Sequence, residues 1–242
     1  MIEEQDMRIE RARGQVYGFF SSLFLNQPSP EMLNRLLGEN GAAVWESMFP
    51  KHPACARMRV LSEAYLRGEC QAEEFLLDYE ALFRVPCDSY VHPFESAYIR
   101  EGFSAGKVNG STMMVGRTLE IAAIYREQDL SPREGFSELP DHLGVELELM
   151  ALLCRKTAAA LEKGDRQKAA HFVSRQRSFL EDHLLKWGPG CLDKVQKKGR
   201  TPLYACLADL LKAFLEEEGC SVCSHQPLSV APEKTANDET AL

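Results

Sequence analysis

The segment Leu139–Met150 brings acidic, imidazole and apolar side chains together where a helix is expected to begin. A proline biases the residue before it away from the helical conformation, so Pro140 marks the boundary. Asp141 can then act as the N-cap by accepting a backbone N–H that has no partner inside the helix. His142 and Glu146 are four residues apart and are therefore neighbours on one helix face. This Asp-His-Glu cluster predicts a recognition site at the opening of the helix.

Simpler interpretations of the same residues stay open. Plain N-capping explains Asp141, an exposed place in the first turn explains His142, and pairing with that histidine or with a lysine explains Glu146. Two groups at this spacing could ligate a metal, but a closed zinc site usually has four ligands, and the protease pattern His-Glu-x-x-His is absent. We therefore expect neither a metal nor another cofactor at this helix.

A second group of candidate residues lies upstream. Tyr79 and Phe83 are four residues apart near the end of a predicted helix. Aromatic residues at this spacing are usually core, although they would also suit one wall of a groove for an apolar peptide. Glu95 and Ser96 lie in a segment without helical periodicity, where capping of the following turn and contact with a ligand are equally good explanations.

Two further motifs fit their nearest functional pattern poorly. Gly102–Val108 resembles a phosphate loop, but it has three residues between the glycines and a valine after Lys107, so we expect a flexible loop. A nucleotide hydrolase remains a hypothesis that rests on this lysine alone. Cys220 and Cys223 precede His225, but no second Cys-x-x-Cys completes a zinc site. A thiol pair without a role is favoured there, and metal or redox handling is the alternative.

Composition narrows the class of protein. The 242-residue chain carries a net charge of −8, which argues against non-specific binding to nucleic acid. The acidic N-terminus lacks the basic and apolar regions of a secretory signal, and no apolar run is long enough to span a membrane. We expect a cytoplasmic protein, in which the eight cysteines are mostly reduced.

Apolar periodicity predicts an all-α protein with no convincing strand. Five residues that punctuate helices lie between 85 and 110, and we expect a hinge loop there between two helical halves: Pro86, Pro93, Gly102, Gly106 and Gly110. We expect the helical domain to cover residues 1–218 and the tail 219–242 to be disordered. The sequence Gly188-Pro189-Gly190 is predicted to end a helix. The helix opened by Asp141 has one apolar stripe, formed by Leu143, Leu147, Met150, Cys154, Ala158 and Leu161.

Several blocks of the chain together resemble the TorD/DmsD family of redox-enzyme maturation chaperones, which is related to the nitrate reductase delta subunit group. The segment Pro140–Met150 resembles the family signature. The family's other blocks occur in the family's order over roughly residues 8–217. Its second block matches Tyr79-x-x-Leu82-Phe83-x-x-Pro86 with Pro93-x-Glu95-Ser96-x-Tyr98, and its third matches Phe179-Leu180-x-x-His183-Leu184-x-x-Trp187 with the closing helix. The resemblance implies an all-α fold of about ten helices in two halves.

The resemblance also implies a function. Such proteins are cytoplasmic chaperones rather than enzymes. They bind the twin-arginine signal peptide, and often the body, of a molybdenum-cofactor oxidoreductase, and they delay its export until the cofactor is inserted. Separately from the resemblance, the long hinge permits either a monomer or a homodimer that exchanges halves between chains. Carried onto this chain, the signal-peptide contacts are Tyr79, Phe83, Pro93, Glu95, Ser96, Pro140, Asp141, His142 and Glu146.

The chemistry of these residues agrees with such a ligand. Arginine forms bidentate, charge-assisted hydrogen bonds with carboxylates, which Asp141, Glu146 and Glu95 could supply. The aromatic pair could contact the apolar part of the peptide. The positive end of the helix dipole opposes a cationic ligand, so the Asp141 carboxylate has to outweigh that field.

Overall fold

The computed structural model describes residues 2–99, 118–119, 121–126 and 138–224. Within these ranges the chain forms nine α-helices, which confirms the all-α prediction. Their bounds are α1 Ile2–Leu25, α2 Pro30–Leu37, α3 Gly41–Met48, α4 Pro53–Leu66, α5 Ala72–Tyr79, α6 Leu143–Glu162, α7 Arg166–Phe179, α8 Leu185–Lys198 and α9 Pro202–Ser224.

Residues 118–119 and 121–126 are also helical, and two π turns and one 3₁₀ turn occur besides the α-helices. The π turn Glu80–Arg84 extends α5, and the π turn Leu180–Leu184 joins α7 to α8 without a break. The 3₁₀ turn Glu95–Ala97 lies in the segment between the two halves of the sequence. Among the described residues, the β-type pairing consists of a single antiparallel bridge between Phe94 and His142.

Local capping chemistry explains several helix ends. The Ser29 hydroxyl accepts the Met32 N–H at 3.2 Å and caps α2. Gly164 adopts φ +71°, a conformation that glycine tolerates best, and it ends α6. The Asp165 carboxylate accepts the Lys168 N–H at 3.0 Å and caps α7. These ends therefore follow from short sequence motifs.

Helix α6 occupies the centre of the molecule. Helix α1 packs along it, and Gly14 is where their backbones approach, because a Cβ there would lie 3.2 Å from the Ala151 carbonyl oxygen. At the other end, a Cβ on Gly144 would clash with the Leu25 side chain. The predicted stripe is buried except for Leu161, which is partly exposed. Burial also extends beyond the stripe, because α7 covers a further side of α6.

The two halves of the sequence share one hydrophobic core. Helix α1 packs on α6, and α4 packs on α9, so each half contributes helices to the same interior. Of the predicted hinge loop, residues 85–99 are irregular apart from the 3₁₀ turn, and residues 100–110 lie outside the described residues. An exchange of halves between chains would have to re-form these helix pairs, so the oligomeric state stays a prediction.

Two helices continue past glycines where the sequence predicted that they would end. Gly188-Pro189-Gly190 lies inside α8, so the predicted break there is wrong. One face of α8 is buried against the core. This packing keeps the helix continuous at Pro189, although proline has no backbone N–H to donate. Helix α9 continues past the expected boundary at Glu218 to Ser224, and Gly219 lies in it where the Leu185 side chain packs closely. Residues 225–242 lie outside the described residues.

Candidate functional site

The segment around residue 94 is tied to the opening of α6 by backbone hydrogen bonds. The Leu143 N–H donates to the Pro93 carbonyl at 2.8 Å, and the Glu95 N–H donates to the Asp141 carbonyl at 2.9 Å. This short bridge brings candidates from two distant sequence blocks to one place. We call this region, residues 93–98 and 140–146, the Asp141 junction.

The capping roles at the junction are shifted by one residue from the prediction. Asp141 does not cap α6, and the N-cap is His142, whose Nδ1 accepts the Gly144 N–H at 3.0 Å. The Asp141 carboxylate instead accepts the Ser96 N–H at 3.3 Å and the Thr118 hydroxyl at 3.1 Å. It therefore holds the 3₁₀ turn, a role that local sequence could not indicate because its partner lies 45 residues away.

His142 is a buried, neutral imidazole. Only 4% of the residue is exposed, and the edge of its ring packs against Phe94 with the ring centroids 5.2 Å apart. Burial lowers the pKa of His142 to about 4, since the charged form would lose its hydration. With Nδ1 acting as acceptor, the neutral ring carries its hydrogen on Nε2. The alternative in which His142 is an exposed first-turn residue is therefore wrong.

The carboxylates of Glu95 and Glu146 are held by a third block of sequence. The Trp187 indole N–H donates to Glu146 Oε2 at 3.0 Å, and His183 Nδ1 lies 3.0 Å from Glu95 Oε2. His183 and Trp187 come from the π turn and the start of α8. Sequence analysis named this block but gave its residues no role, although their spacing of four places both on one helix face.

Tyr79 and Phe83 pack into the core. The Tyr79 hydroxyl donates to the Phe24 carbonyl at 3.3 Å, and the Phe83 ring lies 5.7 Å from both the Phe24 and the Tyr204 rings. Exposure is 2% for Tyr79 and 6% for Phe83. Their packing matches the core interpretation, which was one of the two left open. The structure thus brings seven of the nine candidates to the junction and places these two aromatics in the adjoining core.

The junction concentrates buried negative charge. Glu95, Asp141 and Glu146 are each 0% exposed. Within the described part of the chain, neither Glu95 nor Asp141 is contacted by an arginine or a lysine. Buried carboxylates of this kind suit a cation electrostatically. A ligand can touch them only if some of the side chains that shield them from solvent move aside.

The other motifs singled out in the sequence fall mostly outside the described residues. Lys107 and its glycines lie outside the described residues, as does His225. In the described ranges, no group of three or more His, Cys, Asp or Glu side chains is placed to hold a metal ion. None of the helices in those ranges is long and apolar enough to cross a membrane. The alternative of metal or redox handling at the C-terminus stays a prediction.

Comparison with known proteins gives the family of this all-helical chain. A family model described as "Nitrate reductase delta subunit" matches residues 51–193. This chain belongs to the nitrate reductase delta subunit family.

Named relatives agree with that assignment. "Chaperone protein TorD" of Shewanella piezotolerans is 23% identical over 220 residues, covering 90% of this chain and 95% of that protein. "Chaperone protein TorD" of Aeromonas salmonicida is 25% identical, again over 90% of this chain and 95% of the relative. The "Perchlorate reductase assembly chaperone protein" of Dechloromonas aromatica is 33% identical over 57% of this chain and 59% of the relative. The resemblance to TorD-type chaperones is confirmed, and with it the prediction that the chain is not an enzyme.

Proposed function

We propose that this protein is a cytoplasmic maturation chaperone that binds the twin-arginine signal peptide and the apo-form of a molybdenum-cofactor oxidoreductase. It assists cofactor insertion and delays export until that step is complete. The observation that carries the proposal is the meeting of the Pro140-Asp141-His142 helix start with Glu95 and Ser96 at one acidic junction, in a chain related to assembly chaperones.

The charge pattern of the junction supports a cationic ligand. Three carboxyl groups are 0% exposed at the N-terminal end of α6, and a cationic ligand there requires them to offset the positive end of the helix dipole. The contacting residues in this proposal remain the nine candidates, with the carboxylates serving the cationic head of the peptide. Because Glu95, Asp141 and Glu146 are buried, binding involves a local shift of residues 93–98 away from α6. The bridge to be broken there consists of a few backbone hydrogen bonds.

Exposed apolar side chains next to the junction suit the apolar part of a signal peptide. Arg84 Nη1 lies 2.6 Å from Glu138 Oε1, and the next residues along the chain from this ion pair are Val85 and Leu139. Val85 is 51% exposed and Leu139 is 44% exposed. Large apolar side chains grouped on a surface often mark a binding site.

Titration with a synthetic leader peptide tests the proposal. The peptide is taken from the molybdoenzyme encoded beside this gene, and binding is measured by calorimetry. Asp141→Asn removes the charge but keeps the shape, and we expect at least about tenfold weaker binding, because a charge-assisted hydrogen bond is lost. Asp182→Asn is the matched control, since Asp182 is an exposed carboxylate paired with Lys186. Failure of every leader to bind, or an unchanged affinity in Asp141→Asn, contradicts the proposal.

A further inference from the structure

An open groove of about 480 Å³ lies between α1 and α6. Its lining comes from residues 11–18 of α1 and residues 155–162 of α6. Arg155 lies about 14 Å along the helix axis from Glu146, so the groove is separate from the Asp141 junction. Half of the lining side chains are small: Gly14, Gly18, Ala158 and Ala159.

The described residues give no packing reason for Gly18. A glycine inside a helix lowers stability relative to alanine. At Gly14 the close approach of two helices accounts for this cost, because an added Cβ would lie 3.2 Å from the Ala151 carbonyl oxygen. At Gly18 the nearest described atom to an added Cβ would be the Ala151 Cβ at 3.7 Å, an ordinary contact. Alanine would therefore fit at position 18 and stabilise α1, and close contact with a partner would explain why the side chain is missing.

Arg155 gives the groove its charge. The residue is exposed, and its guanidinium has no hydrogen-bond or ion-pair partner among the described residues. Its Nη1 would lie 4.0 Å from a Cβ at Gly18, so the side chain reaches across to α1. Arg11 pairs with Glu162 at 3.1 Å at the surface. Two arginines and one glutamate thus line the groove, which makes it locally positive in a chain whose net charge is −8, and such a surface favours an acidic partner.

The shape of the groove suits a helix. Small side chains at a contact let two helices approach closely, since the distance between packed helix axes depends on those side chains. Residues 11–18 of α1 span about 10 Å, which equals about two turns of a partner helix. A second copy of this chain is a poorer occupant, because a two-fold contact through this patch would bring two positive grooves together.

We propose that this groove is the docking surface for an acidic helix in the body of the client oxidoreductase, meaning the enzyme without its leader peptide. This inference rests on the proposed function and adds a second contact, remote from the junction. The partner helix lays small or apolar side chains over Gly18 and places a carboxylate against Arg155, where a guanidinium forms charge-assisted, bidentate hydrogen bonds. Two separate contacts to one client raise the overall affinity, because binding at one increases the effective concentration at the other.

The test uses the cofactor-free oxidoreductase encoded beside this gene, produced without its leader, and calorimetry measures its binding. We expect Arg155→Ala to weaken binding about tenfold, since the partner carboxylate loses its hydrogen bonds. Gly18→Leu should weaken binding by about the same factor or more, because the new side chain occupies the groove. Arg59→Ala is the control, since Arg59 is an exposed arginine that pairs with Glu46 on other helices.

Gly18→Ala separates docking from a structural role. Alanine favours the helix, so we expect a higher midpoint of urea denaturation. We also expect weaker binding of the leaderless body, because the added methyl group holds the partner helix away from α1. A more stable variant with unchanged affinity for the body would contradict the role given to Gly18 and overturn the proposal.

Titration with the leader peptide alone separates this inference from the proposed function. Wild-type protein and Arg155→Ala should bind the leader equally well, because the groove is remote from the junction. The docking surface is overturned if wild-type protein binds the leader but not the leaderless body, or if Arg155→Ala and Gly18→Leu bind that body as tightly as wild type. It is also overturned if sedimentation shows a dimer of the wild-type chain that Gly18→Leu abolishes, since a second copy would then be the occupant. If wild-type protein binds neither leader nor body, the proposed function itself fails.

Discussion

Two clusters of buried polar residues in this molecule are built on opposite plans. The first, which we call the helix-clamp network, joins α1, α6, α7 and α9. The Arg13 guanidinium donates to Glu218 at 2.6 and 2.9 Å, to Glu10 at 2.6 Å and to Gln176 at 2.7 Å. The Tyr17 hydroxyl adds a bond to Glu218 at 2.8 Å. In this network a central cation is matched to surrounding acceptors.

Among the described residues, no such central cation contacts Glu95 or Asp141 at the Asp141 junction. The junction carboxylates bond to a backbone N–H, a hydroxyl, an imidazole and an indole, and Glu95 Oε1 and Ser96 Oγ have no hydrogen-bond partner in the described part of the chain. If the junction served stability alone, these atoms would be hydrogen-bonded, as the polar atoms of the helix-clamp network are. The comparison assigns the network to the fold, and it fits the proposal that the junction binds a ligand at some cost to stability.

The largest effect should come from breaking the helix-clamp network. Arg13→Ala leaves the buried Glu218 and Glu10 without their cation, and we expect a loss of about 3–5 kcal/mol in the free energy of unfolding. Arg8→Ala on the same helix removes an exposed pair with Glu4 and should cost no more than about 0.5 kcal/mol. Urea denaturation measures both. Similar losses in the two variants would show that the buried network adds no stability beyond a surface pair.

A smaller effect is expected from acid at the junction. Burial lowers the pKa of His142 from 6.5 to about 4, so the unfolded chain binds a proton more readily than the folded one. The stability contributed by neutral His142 is therefore complete above pH 6.5 and is lost as the pH falls towards 4. We expect protonation of His142 to have lowered the free energy of unfolding by about 2 kcal/mol at pH 5.

Comparison with His142→Asn isolates the part of the stability loss that comes from protonation of His142. Asparagine keeps a capping acceptor but cannot be protonated near neutral pH. The variant should lose less free energy of unfolding between pH 7 and pH 5 than the wild type does. Parallel pH profiles for the two proteins would mean that His142 titrates normally and is not buried as described.

The sequence predicted the all-α class and the apolar stripe of α6, because both depend on the spacing of neighbouring residues. The caps Ser29 and Asp165 and the helix end at Gly164 are equally local, because each acts on backbone groups within one turn. The meeting of Glu95 and Ser96 with the Pro-Asp-His segment was suggested only by resemblance to a family.

The remaining features depend on contacts between distant parts of the chain. The shift of the cap from Asp141 to His142 requires Ser96 to be in place, and no local pattern encodes that. The anchoring of Glu146 by Trp187 joins residues 41 positions apart. Pro189 is tolerated in α8 because tertiary packing overrides a local preference.

Helix packing connects the two clusters, and Gly144 tests that connection. The Ser21 hydroxyl of α1 donates to the Gly144 carbonyl at 2.7 Å, and an added Cβ would press on Leu25. We expect Gly144→Ala to lower the free energy of unfolding by about 1–3 kcal/mol through overpacking. Gly18→Ala is the control, because its nearest neighbour would be 3.7 Å away and alanine favours the helix. Equal stability of the two variants would show that α6 can move from α1 at little cost.

Single charge-removing substitutions that keep the side-chain shape give the clearest comparison of stability between the two clusters. Asp141→Asn is isosteric: the carboxamide oxygen can still accept the Ser96 N–H, and its NH₂ group can donate to the Thr118 hydroxyl. We expect a change below about 1 kcal/mol in the free energy of unfolding, since neutral hydrogen bonds replace charged ones. Glu218→Gln, in contrast, removes the charge that faces Arg13 and should cost more stability while leaving peptide affinity unchanged. If Asp141→Asn unfolds as readily as Glu218→Gln, the junction carries the fold as the network does, and the division of labour between the two clusters is wrong.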